Sequence, residues 1–569
     1  MAIFFQKYIL LIIPLGLFAA GPSYNLGLRS QIGSGTQIDN KYSYLENFVS
    51  GSMDRGPWHL EISLEYSAPP EYGYDRLGLN HAAVRYTSDI WMLELGNLAA
   101  TFGRGLSLTL FEDERIDFDT KIIGAQVVSN ILRQHSLNFI AGSKQEYRFY
   151  SPSSDLREPD GDAAYELGGV EFNINSSSGK WTVSPFVIAG RLRSDILWRV
   201  YDPPSRYVIT DTTTQTMQTL QTGFNQTIQG NEWDIFLEYG ITSRAYDYPF
   251  VDESINQLSD GFRHVKINPD FNSQGSATYF QLNWYPQWFT AMLEYRRYQN
   301  GSENRADKGH PLRQARQPLP WQLGPTGVRQ HDISMLANVT HPVDYGNELG
   351  WNLEIQTYIM DNLSVLVNAT QISQARDSES PDDKADLWPA IDISRNPWQE
   401  VYTEIEYTGV KFSRRFILAY TRSVLSGEKA AEIAEHISLV PIYISWYGAS
   451  DFVFSALAEI QFSEVTGELY TGEILDGHQY RSAHLVASFD AHSKYSFSLI
   501  WDASEDPLLN NGHKESQDWL SAEFSVKPLD GMWLRTSYGK EKGGVRCTGG
   551  VCRVINPFEG FRMALEWRL

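Results

Sequence analysis

At 569 residues the chain is 42% hydrophobic and 13% aromatic, yet its mean hydropathy is −0.34, so it is a polar sequence unusually rich in rings. A formal net charge of −22 excludes a nucleic-acid binder, whose partner's phosphates demand a basic face. Beyond the N-terminus no apolar run is long enough for a helical membrane span, which leaves strands as the only way through a bilayer.

The first segment reads MAIFFQKYILLIIPLGLFAAGPSYN. Lys7 supplies a positive start, Tyr8 to Phe18 an apolar stretch, and Ala19-Ala20-Gly21 a small-residue cleavage site, so residues 1–21 are expected to be a secretory signal peptide and 22–569 the exported domain. A membrane anchor is the weaker alternative, because the run is short and Pro14 interrupts it.

From there strict alternation recurs along the chain. Trp58, Leu60, Ile62, Leu64 and Tyr66 oppose His59, Glu61, Ser63 and Glu65; Glu94 falls in a similar segment. Trp233, Ile235, Leu237 and Tyr239 oppose Asp234 and Glu238. Glu294 and Arg296 follow, then Trp351, Leu353 and Ile355 against Glu354, and Val401, Thr403, Ile405 and Tyr407 against Glu404 and Glu406. Phe452, Phe454, Ala456, Ala458, Ile460 and Phe462 lie opposite Glu459. These segments are about 9 to 11 residues long, with aromatics near the ends of the apolar face, as a tilted membrane-spanning strand requires. Long polar stretches at 144–163, 250–274, 299–330, 375–398 and 502–517 contrast with tight turns such as SSSGK and PLDG. The expected fold is all-β: a single large transmembrane antiparallel β-barrel of roughly 22 to 26 strands, with short periplasmic turns and long extracellular loops. No fixed internal period is present, which weighs against a propeller.

The densest charge pattern is FEDERIDFDTK, 111–121. As one strand it would put Asp113, Arg115, Asp117, Asp119 and Lys121 on a single face, a ladder of alternating sign. Facing a lumen it could select solutes; the alternatives are an ion network bracing the wall or a polar loop. The preceding Phe102-Gly103-Arg104-Gly105 suits a kink where the backbone bends. Glu61, Glu65, Glu94, Asp234, Glu238, Glu294, Arg296, Glu354, Glu404, Glu406 and Glu459 are expected to face the lumen, where carboxylates outnumber bases and would favour cations. Acidic loop runs such as 155–162 and 377–386 lack the spacing of a dedicated calcium site. Cys547 and Cys552 enclose only Thr-Gly-Gly-Val; in an exported chain such a pair reads as a disulfide clasping a loop. No zinc, phosphate-loop, serine-hydrolase or metalloprotease motif occurs, so neither a catalytic centre nor a cofactor or metal is expected, although a site assembled across distant strands leaves no local signature.

The final strand, FRMALEWRL, places Phe561, Met563, Leu565, Trp567 and Leu569 on one face and resembles the C-terminal strand by which the outer-membrane barrel assembly machinery recognises its substrates. It differs from the commonest form in ending on Leu569, with Trp567 two positions earlier. Together with LGNLAATFGRGLSLTLFEDERIDFDTKIIGAQV and GGVRCTGGVCR, the chain resembles a family of large Gram-negative outer-membrane barrel proteins of uncharacterised activity. The resemblance implies architecture and an outer-membrane location, with lipid, lipopolysaccharide and the assembly machinery as partners, and imports no site residues. The function expected is a porin-like passive channel for uptake of small solutes, cation-preferring. Strands are expected to begin soon after the signal segment, with no room for an N-terminal plug domain, although inward-folded long loops or the 102–121 region could still narrow the lumen. The alternative is a closed scaffold barrel whose loops, with Trp321, Trp388 and Trp398, capture a glycan or a partner protein.

Overall fold

The computed structural model describes residues 23–569 other than 38–39, 74, 132–133, 150–160, 203–206, 247–249, 253–265, 269–270, 301–318, 332–334, 336–340, 342, 376–385, 392–394, 396, 410–411, 427–431, 448–450, 469–473, 507–515 and 549–550. Residues 1–22, and with them the expected signal peptide, lie outside the described residues.

Alternation becomes strand throughout. Among the described residues, 24 strands form one antiparallel sheet, within the range expected from the sequence. Each pairs with its neighbours in chain order, and the sheet closes where Phe558–Arg568 pairs on one side with Met532–Glu541 and on the other with Ser23–Gln37. At the seam Leu569 N donates to Leu26 O at 2.8 Å, and Leu26 N to Leu569 O at 3.2 Å. A closed sheet leaves no unpaired edge, which is the condition for strands to exist in hydrocarbon.

Register fixes which face is which. Val49, Ile62, Leu95, Val187, Leu220, Val401, Ile405, Leu485, Leu499, Phe524 and Phe561 point outward and are exposed, so the outside of the cylinder is an apolar band. Trp58, Trp91, Trp181, Trp233 and Trp284 each stand beside a short turn on the same rim, at 56–57, 88–90, 176–180, 230–232 and 285–288. They form the aromatic girdle of one membrane interface. The opposite rim carries the long connections at 99–121, 300–347, 374–397 and 542–557. Both ends of the sheet, near Ser23 and Leu569, lie on the short-turn side. This is the fold of an outer-membrane barrel.

The described residues of two of the long connections, 99–121 and 300–347, turn back inside the wall. Phe102, Leu108, Leu110, Leu319 and Trp321 pack against the inward side chains Leu98, Ile140, Tyr165, Leu167, Phe186, Ile188 and Met217. A second cluster joins Leu106, Leu323 and Tyr345 to Phe236, Ala277, Tyr279 and Tyr298. The lumen therefore has its own apolar core, built where inserts meet the wall.

Removal of residues 558–569 leaves the edges of Ser23–Gln37 and Met532–Glu541 unpaired. The expected outcome is loss of the heat-modifiable, compact band of the folded barrel on semi-native gels, with the chain recovered in aggregates.

Candidate functional site

The first insert, 99–121, begins with a hairpin: Ala100–Phe102 pairs with Leu108–Leu110. Its turn is the FGRG sequence, closed by Gly105 N donating to Phe102 O at 2.9 Å. Gly103 has φ 56° and a Cβ there would sit 2.7 Å from Glu238 Oε2; Gly105 has φ 94° and its Cβ would meet Leu323 O at 2.7 Å. Both positions require glycine, as the sequence suggested for a bend. The turn caps a wall carboxylate: Glu238, 0% exposed, accepts from Arg104 N at 2.7 Å and from Ser107 Oγ at 3.1 Å. A buried carboxylate persists because such donors replace water. The Arg104 side chain is exposed, with its guanidinium 4.9 Å from the Phe236 ring.

The charged ladder expected over 113–121 does not exist as one strand. Glu112–Asp113 pairs back on Phe118–Asp119 around a 3₁₀ turn at Glu114–Ile116, and Asp117 takes φ 49°. Inside the lumen no wall strand offers its edge, so the segment satisfies part of its own backbone by folding double. Of the five ladder residues, Asp119 pairs with Lys144 at 2.5 Å, while Lys121 pairs with Glu112 and has its Nζ 3.4 Å from His81 Nδ1. Asn80 donates to Glu112 at 3.3 Å, and Arg29 pairs with Glu114, a residue outside the ladder. Asp113 and Asp117 also have partners, and the Arg115 side chain lies outside the described residues. These contacts form the ion network that was the structural alternative for this segment.

The described residues of the second insert, within 319–347, form a strap along the inner wall. Trp321, 0% exposed, donates from Nε1 to Gln221 Oε1 at 2.9 Å and lies 5.1 Å from the Tyr165 ring. Gln322 donates to Thr242 and Asn300. Thr109 N donates to Trp321 O at 2.7 Å, tying the two inserts together. Tyr298 and Tyr345 stack at 5.5 Å and donate to Pro325 O and Gly324 O. Burial pushes the Tyr345 phenol up, so it remains a donor at any physiological pH. Farther along, Arg329 pairs with Glu354 at 2.6 Å, His331 bonds to Glu400 at 2.9 Å, and Met335 N donates to Glu459 at 2.7 Å. The strap returns through His341, which bonds to Glu348, itself paired with Arg296 at 2.6 Å.

Every carboxylate and base expected on the inner face lies there by strand register, but few are free wall charges. Glu238, Glu354 and Glu459 hold inserts. Glu65 pairs with Arg76, Glu94 with Arg85, and Asp234 accepts from Asn283. Glu294 accepts from Asn352 and Tyr279, Glu404 from Tyr402, and Glu406 also has a partner. Glu61, beside His81 at 3.6 Å, keeps a half-exposed side chain. Of the three loop tryptophans, Trp321 and Trp398 are buried and only Trp388 is exposed, so a shared aromatic capture surface is ruled out for the first two. Sequence reading allowed for inward-folded long loops but did not identify this one; its signal was the alternation of Leu319, Trp321 and Leu323 inside an otherwise polar loop.

Cys547 and Cys552 are directly opposed in the hairpin of Gly544–Thr548 and Val551–Ile555, on the long-loop rim. Next to it, burial pushes the Lys542 amine down, against the pull of Asp502, Asp506 and Glu459. Among the described residues, no group of three or more His, Cys, Asp or Glu could hold a metal ion.

Glu238→Ala leaves the Arg104 amide and the Ser107 hydroxyl without their acceptor, a cost of about 1–3 kcal/mol. The expected outcome is earlier cleavage of the 99–121 insert in limited proteolysis, with the wall intact. Trp321→Ala is expected to cost about 3–5 kcal/mol of local packing and to expose both inserts to cleavage, since Thr109 is bonded to the Trp321 backbone.

Among solved structures the chain is similar to the ferric enterobactin receptor PfeA of Pseudomonas aeruginosa, at 9% identity and TM-score 0.46, covering 97% of this chain and 81% of that one. It is also similar to the siderophore receptor PirA of Acinetobacter baumannii, at 8% identity and TM-score 0.48, covering 96% and 80%. The FrpB iron transporter of Neisseria meningitidis matches at 10% identity and TM-score 0.45, over 98% and 82%. Cargo carried by those proteins is a property of those proteins. No curated protein matches the sequence. The model of a family of unknown function, DUF6029, matches residues 31–569, and the chain belongs to that family.

Proposed function

We propose that this protein is a non-catalytic outer-membrane channel for small solutes, cation-preferring, whose passage is narrowed by two inserts fastened to the inner wall. The single observation that carries this reading is a charged cluster still reached by water inside the cylinder. Glu61, Glu114 and Asp119 keep exposed or part-exposed side chains beside Arg29, Lys121 and Lys144. A 24-stranded cylinder encloses more space than its own inward side chains fill, so water-reached charge beside a packed insert marks the edge of a passage. Carboxylates on that edge would draw cations; the lysines and Arg29 temper the field.

Export by the 1–21 segment, insertion through the terminal strand and contact with lipopolysaccharide belong to the same reading. So does a Cys547–Cys552 disulfide, which would clasp the tip of the last external loop in an oxidising compartment. Alkylation of the unreduced, unfolded protein is expected to label neither cysteine, and labelling of both without reductant would contradict the clasp.

Conductance of the purified protein in a planar bilayer under a salt gradient tests the channel. The wild type is expected to give small, steady, cation-selective currents, the selectivity falling in Glu114→Gln/Asp119→Asn and the conductance rising in Glu238→Ala as the insert loosens. A correctly inserted barrel that is silent in the wild type and in Glu238→Ala would sink the proposal.

A further inference from the structure

One connection on the long-loop rim turns the opposite way from the inserts. Along Leu363–Ser373 the outward positions are Val365, Val367, Ala369, Gln371 and Ser373. Val367 is exposed as the membrane face should be, yet Ser373 is only 1% exposed. The cover is the segment 386–391 from the following connection: Ala390 N donates to Ser373 Oγ at 2.8 Å, and Gln371 Nε2 to Pro389 O at 3.2 Å. This segment thus lies flat on the outside of the wall. It turns Leu387, Trp388 and Ile391 outward, at 65%, 71% and 62% exposure, while the Trp388 ring meets Tyr295 edge to face at 6.3 Å.

Depth decides what faces this apolar flap. Tyr295 is an outward residue of Phe289–Gln299, the strand whose Phe289 packs edge to face on Trp284 of the short-turn girdle at 4.8 Å. A strand tilted by about 40° rises ~2.5 Å per residue, so Tyr295 stands roughly 15 Å above that girdle, within an apolar band ~25 Å tall. Trp388 is therefore beside the band and not above it, continuous with Val367 and Val401 below. A tryptophan flanked by aliphatics at the upper part of the band has the composition of an interfacial anchor, and the two hydrogen bonds to the wall relieve part of the backbone's need for partners.

We infer that the flap lies at the upper interface of the outer leaflet and sinks the side chains of Leu387, Trp388 and Ile391 into its acyl chains, pinning residues 387–391 to the lipid surface. The charged pair Asp386–Arg395, 3.0 Å apart, lies on the same connection and would stay on its polar side.

A photoreactive benzophenone side chain introduced at position 388 in the full-length protein, and separately at 387, tests this in whole cells. Position 367 serves as the lipid-facing control and the short turn at 231 as the water-facing one. A lipid or lipopolysaccharide adduct at 388 or 387, matching that at 367 and absent at 231, is the expected result. Crosslinking to a protein instead, or no lipid adduct at either flap position while 367 reacts, would overturn the inference; heat-modifiable migration confirms that each variant has folded.

Discussion

A bilayer offers no water to an unpaired amide, and the rest of the molecule follows from that constraint. Strands can cross only if the sheet has no edge, so Phe558–Arg568 must meet Ser23–Gln37, and the ladder between them closes the cylinder. Once it is closed, every second side chain points to lipid and every other to an enclosed space. With 24 strands that space is too wide for wall side chains alone to fill. The inserts answer the same constraint within the lumen: 99–121 pairs its own backbone in two short hairpins, and Thr109 bonds to the strap at Trp321.

The inner wall shows how charge serves this packing. Glu238 and Glu459 are fully buried, and each receives a backbone amide from an insert; Glu348 gathers Arg296, His341 and Asp344 N. Carboxylates that would be free charges in a wide aqueous pore are here acceptors that fix where the inserts lie. Water still reaches a smaller set, around Glu61, Glu114 and Asp119.

Much of the wall was legible in the residues. Period-two alternation in Trp58–Ser67, Trp233–Tyr246 and Trp398–Thr408 identifies strands, their length identifies the bilayer, and the terminal aromatics identify the interface. Inside the cylinder the same signal misleads, because alternation says which residues share a face but not what that face meets. Leu106, Leu108 and Leu110 alternate as a lipid-facing strand would, yet they pack in the lumen against the strap and the inner wall. The charges of 113–121 alternate too, but a ladder needs a neighbouring edge, and the fold supplies a turn at Glu114–Ile116 instead. Buried Glu238 and half-exposed Glu61 look alike in sequence; only the FGRG turn, held by two glycines over one of them, separates their roles.

The central claim is that both inserts are packed on the inner wall as firmly as the wall is paired with itself, and amide hydrogen exchange of the folded protein in detergent tests it most directly. The account predicts that peptides covering 100–111 and 319–325 are protected to a degree approaching Trp233–Tyr246, with the amides of Arg104 and Thr109 among the slow ones. Exchange of both peptides at the rate of an open loop, while the wall strands stay protected, would contradict it: the inserts would then hang free and the lumen would have no fixed constriction.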